Sequence, residues 1–576
     1  MNITLKNKTM KVIIVGGVAG GASCAARLRR LDEKAEIIMV EKGPFVSYAN
    51  CGLPYYVGGV IEKESSLLVA SEQLFRSQFN IDVRTNCEAI GISATEKTIQ
   101  LKDVKTGQIT TENYDKLVLS PGAKAIRPPF PGIDLPGIFH VRTVPDVQAI
   151  TEWIEKGNPF LAGMYRYSGF QAVRPKTRAV VVGGGFIGLE TAENLIHRGF
   201  GVTLLQNSPH VLTPLDPENS TIVETLLERN GISLAMGDAV TGFEKSGNGS
   251  INVQTKSGKI YPADIVILAI GVRPDVTLAT NAGLEIGDRG GIRVDEHMRT
   301  SDPDIFAVGD VVEVKDWITG EWSLIALAGP ANRQGRIAAD VITGRNSSYR
   351  GTQGTAIIGL FGGTAAWTGV SEATLKRRGD TDYEKIYLYP NSHAGYYPGA
   401  MPLAMKVIFR KSDGKLLGAQ ALGMDNIDKR ISAFAAFMQM DATIYDLEEA
   451  ELCYAPQFGS AKDPVNFAGM VAADVLRNDM PLNHWDQAKN VFILDVREAI
   501  ELAVEGIPEA VNIPLGQLRS RLNELPRDKE INVICRSGQR AYMAVRILLQ
   551  NGYKARNISG GMLSKAQNYL MEADQA

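Results

Sequence analysis

The fold of this chain is decided by the stretch KVIIVGGVAGG, residues 11 to 21. The run Val12–Val15 is typical of a buried parallel strand, and residues Ala22–Leu31 predict a helix after the glycines. The next apolar strand, residues 36–40, leads into Glu41. Glycines at such a turn let a pyrophosphate approach the helix N-terminus, and an acid after the second strand accepts a hydrogen bond from a ribose hydroxyl. The stretch therefore predicts a dinucleotide-binding α/β unit.

The same pattern returns in the middle of the chain. A predicted strand over residues 178–182 is followed by GGGFIG at 183–188, by a helix over 189–199 and by a strand over 201–205. That strand leads into Gln206 rather than an acid. An acid at this position repels the 2′-phosphate of NADPH and an arginine attracts it, so Gln206 leaves the choice between NADH and NADPH open.

A third segment, residues 304–310, is a short apolar strand that ends in Gly309 and Asp310. An aspartate at such a strand end can hold a hydroxyl of the polyol chain of a flavin. Two dinucleotide folds in one chain predict two dinucleotides. One is a bound flavin, FAD, and the other is a diffusing hydride donor, NADH or NADPH, because hydride transfer is cofactor chemistry that the protein positions.

Cys51 follows the first pattern in the turn SYANCGLP, residues 47–54. Small residues, Asn and Pro predict a turn from a strand into a helix. A thiol at a helix N-terminus is expected to have a lowered pKa, and the thiolate is its nucleophilic form. The nearest other cysteines in the sequence are Cys24 and Cys87. Cys51 is therefore predicted to act alone, through a mixed disulfide with a substrate thiol or through a sulfenic acid.

A second chemically distinctive cysteine lies near the C-terminus. The composition changes after residue 481, and a predicted strand over 531–534 runs directly into CRSGQR, residues 535–540. A short loop that starts with Cys535 and closes with Arg540 at a helix N-terminus makes a ring of inward N–H donors. Such a ring stabilises a thiolate or persulfide anion. The loop is shorter than a phosphatase cradle, which favours sulfur over phosphate.

Length, net charge and cysteine count exclude several classes of protein. The 576 residues leave room for roughly four domains of about 150 residues each. A net charge of −3 gives no reason to expect a nucleic acid or a membrane as partner. Five cysteines are too few for a disulfide scaffold, and no signal peptide or membrane span is recognisable, so we expect a cytoplasmic protein. The cysteines and histidines show no ligand-like spacing, and no metal site is expected.

Taken together, the motifs resemble those of the pyridine nucleotide-disulfide oxidoreductases. Within that family the chain is similar to the single-cysteine coenzyme A-disulfide reductases and NADH-dependent persulfide reductases, over about residues 11–476. The C-terminal motifs resemble a rhodanese domain. The resemblance implies an α/β protein with two Rossmann-like FAD and NAD(P)H dinucleotide-binding domains, an α+β dimerisation domain and a C-terminal α/β rhodanese domain. Family members are homodimers whose active sites use residues of both chains.

The resemblance also implies domain boundaries. The FAD-binding domain is expected at residues 1–150 and 280–345, with the NAD(P)H-binding domain at 151–279. The dimerisation domain is expected at 346–480 and the rhodanese domain at 483–576. The stretch from Phe160 to Thr177 is long for a link into the second dinucleotide fold, and the sequence suggests no function for it.

Carried over position by position, the resemblance implies the site residues. Cys51 and Cys535 are expected to be catalytic, and Tyr454 with one of Tyr396 or Tyr397 is expected to reach the cysteine of the partner chain. Contacts to coenzyme A are expected from Ser23, Arg27, Arg30, Ser47, Asn50, Asn332 and Lys462. Contacts to the cofactors are expected from Gly16, Gly17, Ala19, Gly20, Glu41, Lys42, Asp310, Gly183, Gly185, Phe186, Ile187, Gly188, Glu190 and Gly271. The rhodanese loop adds Arg536, Ser537, Gly538, Gln539 and Arg540.

The expected activity is an FAD-dependent NAD(P)H reduction of coenzyme A disulfide, coenzyme A persulfide or polysulfide through Cys51, with sulfane sulfur carried on Cys535. Two alternatives stay open. One is an NADH peroxidase or oxidase that cycles Cys51 through a sulfenic acid, although such relatives carry a histidine near the first glycine loop and none occurs between Gly16 and Arg30. The other is a redox sensor without turnover. The direction of sulfur flow is also open.

Overall fold

The computed structural model describes residues 9–157, 177–247, 249–488 and 491–565, and the chain divides into two compact units. The first unit comprises residues up to 207 together with 231–352, and the second comprises residues 208–230 together with 353 onward. All of the stretch Phe160–Thr177 except Thr177 lies outside the described residues.

The helices of the described residues are α1 (Ala19–Leu31), α2 (Leu53–Gly58), α3 (Glu72–Phe79), α4 (Val144–Gly157), α5 (Phe186–His197), α6 (Pro217–Arg229), α7 (Thr277–Asn281), α8 (Ala328–Ile342), α9 (Glu372–Arg378), α10 (Ile427–Gln439), α11 (Ile444–Glu449), α12 (Pro464–Leu476), α13 (Ala499–Leu502) and α14 (Gln539–Gln550). None of them is both long enough and apolar enough to cross a membrane.

The strands of the first unit are β1 (Lys11–Val15), β2 (Glu36–Val40), β3 (Asp82–Arg84), β4 (Cys87–Ser93), β5 (Thr98–Asp103), β6 (Ile109–Asn113), β7 (Lys116–Leu119), β8 (Ala123–Ala125), β9 (Ile138–Phe139), β10 (Arg178–Val182), β11 (Gly201–Gln206), β12 (Ile232–Met236), β13 (Val240–Lys245), β14 (Ile251–Thr255), β15 (Ile260–Ala263), β16 (Ile265–Leu268), β17 (Val272–Pro274), β18 (Ile292–Arg293), β19 (Ile305–Ala307), β20 (Val312–Lys315) and β21 (Trp322–Ser323). Those of the second unit are β22 (Ala356–Leu360), β23 (Gly363–Gly369), β24 (Tyr383–Leu388), β25 (Leu403–Arg410), β26 (Leu416–Gly423), β27 (Leu482–Asn483), β28 (Phe492–Asp495), β29 (Val511–Asn512), β30 (Ile531–Ile534) and β31 (Ala555–Ile558).

Two parallel sheets organise the first unit. One has the strand order β19-β7-β1-β2-β3, and the other has the order β12-β11-β10-β16-β9. In each, the strand before the glycine turn is central and buried after its first residue, which is why residues 12–15 and 179–182 are apolar throughout. After each central strand the chain adds the next strands of the sheet on one side (β2 and β3, or β11 and β12) and a later strand on the other side (β7, or β16). Ligands of such sheets bind at the carboxyl ends of the strands at this change of side.

The second unit contains an antiparallel sheet and a parallel sheet. The antiparallel sheet has the order β22-β23-β26-β25-β24, and the parallel one has the order β27-β31-β30-β28-β29. Within this unit the backbone N–H of Tyr387 donates to Ser559 Oγ at 3.1 Å, and the His484 ring lies 2.9 Å from a Glu384 carboxylate oxygen. The loop CRSGQR follows β30 and leads into α14.

Both helices that follow glycine turns begin earlier than the sequence predicts. α1 begins at Ala19 rather than Ala22, and α5 begins at Phe186 rather than Leu189. The reason is the same in both, because in the first turn of each helix a glycine packs against the preceding glycine turn. A Cβ on Gly21 would lie 1.9 Å from the Gly16 carbonyl oxygen, and one on Gly188 would lie 1.9 Å from that of Gly183.

Candidate functional site

The two glycine turns have matching geometry. Gly16 and Gly183 both adopt positive φ, +96° and +109°. The N–H of the next residue donates to a side chain at the end of the second strand, from Gly17 to Glu41 Oε2 at 2.9 Å and from Gly184 to Gln206 Oε1 at 3.0 Å. Gln206 therefore takes the structural position of Glu41, with an amide in place of a carboxylate.

These turns fit a bound dinucleotide. The residues at the N-cap positions of α1 and α5 are Val18 and Gly185, and neither caps its helix through a side chain. A Cβ on Gly16 would lie 2.0 Å from the Ser120 carbonyl oxygen, whereas the space around Gly185 is open. Uncapped helix N-termini beside such turns are anion sites, and the residues present suit the pyrophosphates of FAD and of NAD(P)H.

Glu41, Lys42 and Gly271 are also expected at the cofactors, and each lies in different surroundings. Burial raises the pKa of Glu41, and hydrogen bonds from the N–H groups of Gly17, Gly43 and Lys42 oppose that shift. The Lys42 ammonium is exposed and binds Glu88 at 2.6 Å. Gly271 adopts φ +102°, a conformation that favours glycine, and its carbonyl accepts a hydrogen bond from the N–H of Ile126 at 3.0 Å. The roles of these residues toward a cofactor remain predictions.

The turn that carries Cys51 is tied to the first glycine loop. Cys51 lies in a 3₁₀ turn, Asn50–Gly52, that leads into α2. Ser47 adopts φ +46°, and its N–H donates to the Gly17 carbonyl at 2.7 Å. Asn50 Nδ2 donates to the Arg142 carbonyl at 3.4 Å, while Asn50 Oδ1 is buried without a partner in the described residues. That unsatisfied oxygen indicates a ligand group beside Cys51.

The electrostatic surroundings of Cys51 differ from the sequence expectation. Partial burial and the negative charges of Glu190 and Asp310 raise the pKa of the Cys51 thiol, and Arg142 only partly opposes them. The expected lowering is therefore wrong for the protein without its ligands. The main reason is partial burial of the thiol, and the second is that two carboxylates from distant parts of the chain face it, whereas α2 is short.

Glu190 and Tyr55 form a pair near Cys51. The Tyr55 hydroxyl donates to Glu190 Oε1 at 3.3 Å. Burial raises the pKa of Glu190 to about 7, and burial together with the Glu190 charge raises the pKa of Tyr55 to about 12. Glu190 was expected from the sequence, whereas Tyr55 was not, although Tyr55 is only four residues from Cys51.

The residues expected to contact coenzyme A through α1 lie where α1 packs on α8. Ser23 Oγ donates to Asn332 Oδ1, which brings two of the expected residues together. Arg27 Nε donates to Asp340 Oδ1 at 2.8 Å, and Arg30 is exposed. A Cβ on Gly335 would lie 2.3 Å from the Gly20 carbonyl oxygen, so the two helices touch backbone to backbone. Asp340 was not expected from the sequence.

The expected tyrosines and Lys462 lie in the second unit. The hydroxyls of Tyr396 and Tyr454 are 2.7 Å apart, and this hydrogen bond raises the pKa of Tyr396. Tyr397 instead packs edge-on against the His393 ring, with ring centres 5.7 Å apart. The structure thus pairs Tyr396, rather than Tyr397, with Tyr454. Lys462 is exposed at the end of the segment that carries Tyr454.

The Cys535 loop forms a cradle around a buried sulfur. Cys535 is 1% exposed, and its Sγ accepts a hydrogen bond from the N–H of Gly538 at 3.1 Å. Gly538 adopts φ +93° and caps α14. The two terminal nitrogens of Arg540 donate to both carboxylate oxygens of Glu501, at 2.6 and 2.7 Å. Those bonds are the main reason that the pKa of Arg540 is raised, and contact with the Cys535 sulfur adds to the shift.

An acidic cluster in the second unit is occupied by a lysine. Asp216, Glu218 and Glu372 lie close enough together to share an ion. The ammonium of Lys406 sits among them, at 2.9, 2.5 and 2.7 Å, and is fully buried. Lys406 is thus the cation of this cluster.

Comparisons with known proteins agree with this architecture. Residues 10–335 match the family described as pyridine nucleotide-disulphide oxidoreductase, residues 358–463 match its dimerisation domain, and residues 481–566 match the rhodanese-like domain. Coenzyme A disulfide reductase of Staphylococcus epidermidis is 35% identical over 464 residues, which is 80% of this chain and 99% of that protein.

Two solved structures match nearly the whole chain. Reduced CoADR-RHD of Bacillus anthracis is 44% identical, with a TM-score of 0.91 over 97% of this chain and 98% of that one. A NAD-dependent persulfide reductase from A. fulgidus is 36% identical, with a TM-score of 0.86 over 96% of this chain and 100% of that one. Both likenesses extend across the reductase and rhodanese-like portions.

Proposed function

This chain belongs to the pyridine nucleotide-disulphide oxidoreductase family and carries a rhodanese-like domain, and from that premise we propose that it uses NAD(P)H to reduce the disulfide or persulfide of coenzyme A through Cys51. The observation that carries the proposal is the position of Cys51. It lies on a turn bonded to the first glycine loop and forms no disulfide. A single thiol in that place is suited to form a mixed disulfide with a substrate.

The proposed chemistry begins with the Cys51 thiolate. It attacks one sulfur of coenzyme A disulfide, forms a Cys51–coenzyme A mixed disulfide and releases one coenzyme A thiolate. Two electrons and one proton then cleave the mixed disulfide into the Cys51 thiolate and a coenzyme A thiol. With a persulfide as substrate, attack on its outer sulfur releases the coenzyme A thiolate and leaves a Cys51 persulfide, which the same electrons reduce to hydrosulfide and the Cys51 thiolate.

FAD, when bound, would relay those electrons from NAD(P)H to the sulfur. The residues that would hold it are the first glycine turn, Glu41 and Asp310. Arg142 Nη2 binds Asp310 Oδ2 at 3.2 Å, which fixes the aspartate at the end of the sheet. The second turn, Gly183–Gly188, would hold the nicotinamide nucleotide. Glu190 lies in the helix that follows this turn and reaches the Tyr55 hydroxyl.

The rhodanese-like domain adds a second proposed thiol. A Cys535 thiolate that attacks the outer sulfur of a persulfide takes up that sulfur and releases the donor thiolate. The N–H of Gly538 and the guanidinium of Arg540 face the sulfur and would stabilise the resulting anion. Whether Cys535 supplies sulfur to coenzyme A or removes it depends on the donor that is present, and the proposal does not require either direction.

The proposal is tested by the rate of NAD(P)H oxidation with a panel of oxidants. The panel is coenzyme A disulfide, coenzyme A persulfide, inorganic polysulfide and hydrogen peroxide, each followed under anaerobic conditions by stopped flow with NADH and then with NADPH. The proposal predicts fast NAD(P)H oxidation with the coenzyme A substrates, and it predicts that the Cys51→Ser variant does not oxidise NAD(P)H with them. Fast turnover with peroxide alone would favour a sulfenic acid cycle instead, and slow oxidation with every oxidant would favour a redox sensor.

A further inference from the structure

Arg430 is a buried cation that joins three segments of the second unit. Its side chain is 1% exposed and lies on α10. Nη2 donates to the Ser392 carbonyl at 2.8 Å and to Asp463 Oδ2 at 2.9 Å, and Nη1 donates to the Asn426 carbonyl at 3.2 Å. Asp463 in turn caps α12 by accepting the N–H of Val465 at 3.1 Å. The guanidinium thus bonds to the loop at Ser392, to the start of its own helix at Asn426 and to the residue that caps α12.

Two of those partners, Ser392 and Asp463, lie at the ends of the loops that carry the paired tyrosines. Ser392 lies four residues before Tyr396, and Asp463 closes the segment that runs from Tyr454 to Lys462. The loops also meet above Arg430, because the N–H of Ala394 donates to the Gly459 carbonyl at 2.9 Å. A Cβ on Gly459 would lie 3.9 Å from Arg430 Nη2, so the guanidinium lies directly beneath this contact.

The tyrosines themselves have little packing to fix them. Tyr396 is 76% exposed and Tyr454 is 49% exposed, yet their hydroxyls are 2.7 Å apart. Side chains so exposed keep a defined separation only if the two backbone loops are held in register. A buried guanidinium is costly to desolvate, and apolar residues of similar volume often stabilise a fold as well or better. An arginine is suited here because its fork can bind two loops at once.

We propose that Arg430 is a positioning residue that holds the Tyr396 and Tyr454 loops together, and so sets the phenol pair that acts on the redox cysteine. The proposal rests on the proposed function, because the pair matters for turnover only if it faces a sulfur substrate. Arg430 itself touches neither substrate nor cofactor and acts through the two loops.

The test compares Arg430→Lys with a matched control, Arg497→Lys, in the FAD-bound enzyme. Arg497 is likewise buried and paired with an aspartate, Asp495, but lies apart from the tyrosine loops in the rhodanese-like domain. We expect R430K to lower kcat for coenzyme A disulfide by roughly 10- to 100-fold through misplacement of the phenols. KM and the rate of flavin reduction by NADH should stay unchanged, and R497K should show no loss.

The double variant R430K with Tyr454→Phe distinguishes a positioning role from a general loss of structure. If Arg430 acts through the tyrosines, R430K adds no further loss in a Tyr454→Phe background. Losses that multiply, an unchanged kcat in R430K, or slowed flavin reduction would each overturn the proposal. If R430K does not accumulate with flavin, the same cycle uses Asp463→Asn, and failure of both to fold would also overturn it, because Arg430 would then serve the fold alone.

A readout without substrate keeps this proposal distinct from the proposed function. The absorbance of ionised tyrosine in each protein, minus that of its Tyr396→Phe counterpart, isolates the titration of Tyr396. The hydrogen bond to Tyr454 raises the pKa of Tyr396, and we expect R430K to lower that pKa toward its ordinary value. An unchanged titration would overturn the positioning role, whereas a wild-type enzyme without turnover would refute only the proposed function.

Discussion

The carboxyl of Glu190 accepts a hydrogen bond from Tyr55, and burial raises its pKa to about 7. Its charge is one of two that raise the pKa of the Cys51 thiol. Near neutral pH the charge of this half-buried residue therefore changes with pH beside the proposed nucleophile. Above pH 7 Glu190 is ionised and opposes formation of the thiolate, and below pH 7 that opposition fades.

Replacing Glu190 by Gln should lower the pKa of the Cys51 thiol, because the neutral amide removes a facing negative charge. The measurement is the rate of alkylation of Cys51 by iodoacetamide between pH 6 and 10 in the reduced, FAD-bound enzyme. Glu33→Gln is the control, since Glu33 is exposed and is not among the main influences on the pKa of Cys51 or of Glu190. An unshifted alkylation profile in E190Q would show that Glu190 does not act on the thiol.

Replacing Glu501 by Gln should slow sulfur transfer by Cys535, because Arg540 then loses the carboxylate that holds its fork beside the sulfur. We expect a fall of roughly 10- to 100-fold, the equivalent of about 1.5–3 kcal/mol for hydrogen bonds between charged groups. The assay is thiocyanate formation from thiosulfate and cyanide. Glu524→Gln, which breaks a more exposed ion pair with Arg521 in the same domain, is the control and should have no effect.

The pH dependence of the Glu501–Arg540 pair follows from the same contact. Hydrogen bonds from Arg540 lower the pKa of Glu501 from 4.5 to about 2. A lowered acid pKa means that the pair stabilises the fold above pH 4.5 and is lost only as the pH falls toward 2. The rate of sulfur transfer between pH 5 and 8 should therefore carry no titration from Glu501, and a step that vanishes in E501Q within that range would contradict this geometry.

At the scale of elements, the glycine turns were predictable and the contacts between distant elements were not. Residues 11–41 and 178–206 are local patterns, and the structure forms a strand, turn, helix and strand from each. The starts of α1 and α5 were placed too late because glycine is a poor helix former in isolation. The close approach of Gly21 and Gly188 to their own turns outweighs that preference.

Pairs that join remote segments left no signal in the sequence. Arg27 meets Asp340, 313 residues away, because α1 packs on α8, and Arg540 meets Glu501 because α13 lies beside the cysteine loop. The raised pKa of Cys51 has the same origin, since Glu190 and Asp310 reach the thiol only through the fold. Local spacing indicates which residues carry the chemistry, but the electrostatic surroundings depend on packing.

The Lys406 cluster should contribute strongly to the stability of the second unit. It joins α6 to β25 and α9. All three belong to the second unit, although in the sequence α6 falls between the two ranges of the first unit. Lys406→Met would leave the buried Asp216 and Glu218 carboxylates without this cation, whereas Glu372 keeps its contacts with Lys376 and Lys385. We expect a cost of about 3–5 kcal/mol. Hydrogen exchange of the strand Leu403–Arg410 measures this locally. Lys415→Met, which removes a more exposed pair with Asp441, should cost no more than about 1 kcal/mol.

The same cluster should make the second unit sensitive to acid. The charges of Lys406 and Lys385 hold the pKa of Glu372 well below its ordinary 4.5, and Lys406 also lowers the pKa of Glu218. Their contribution to stability is thus full above pH 4.5 and declines as the pH falls below it. Protection of Leu403–Arg410 should fall between about pH 5 and pH 3 in the wild type and change less in K406M. An equal decline in both would contradict the assignment.

At the scale of the whole molecule, the match to the dimerisation domain indicates a homodimer, and the family resemblance implies that each active site uses residues of both chains. This predicts complementation between subunits. A heterodimer of one Cys51→Ser chain and one Tyr454→Phe chain contains one site with both residues intact, provided that each tyrosine serves the partner's cysteine. Co-expressed, differently tagged chains should then show activity well above that of either homodimer. A heterodimer no more active than its parents would place each tyrosine at its own chain's cysteine.

The central claim is that Cys51 alone exchanges disulfides with coenzyme A and that NAD(P)H reverses the exchange. It is tested most directly by the mass of the Cys51 peptide after the FAD-bound enzyme is treated with coenzyme A disulfide, with and without subsequent NADH. The account predicts a coenzyme A adduct on Cys51 that disappears on addition of NADH, together with release of coenzyme A thiol. An unmodified Cys51, or an adduct that survives NADH, would contradict it.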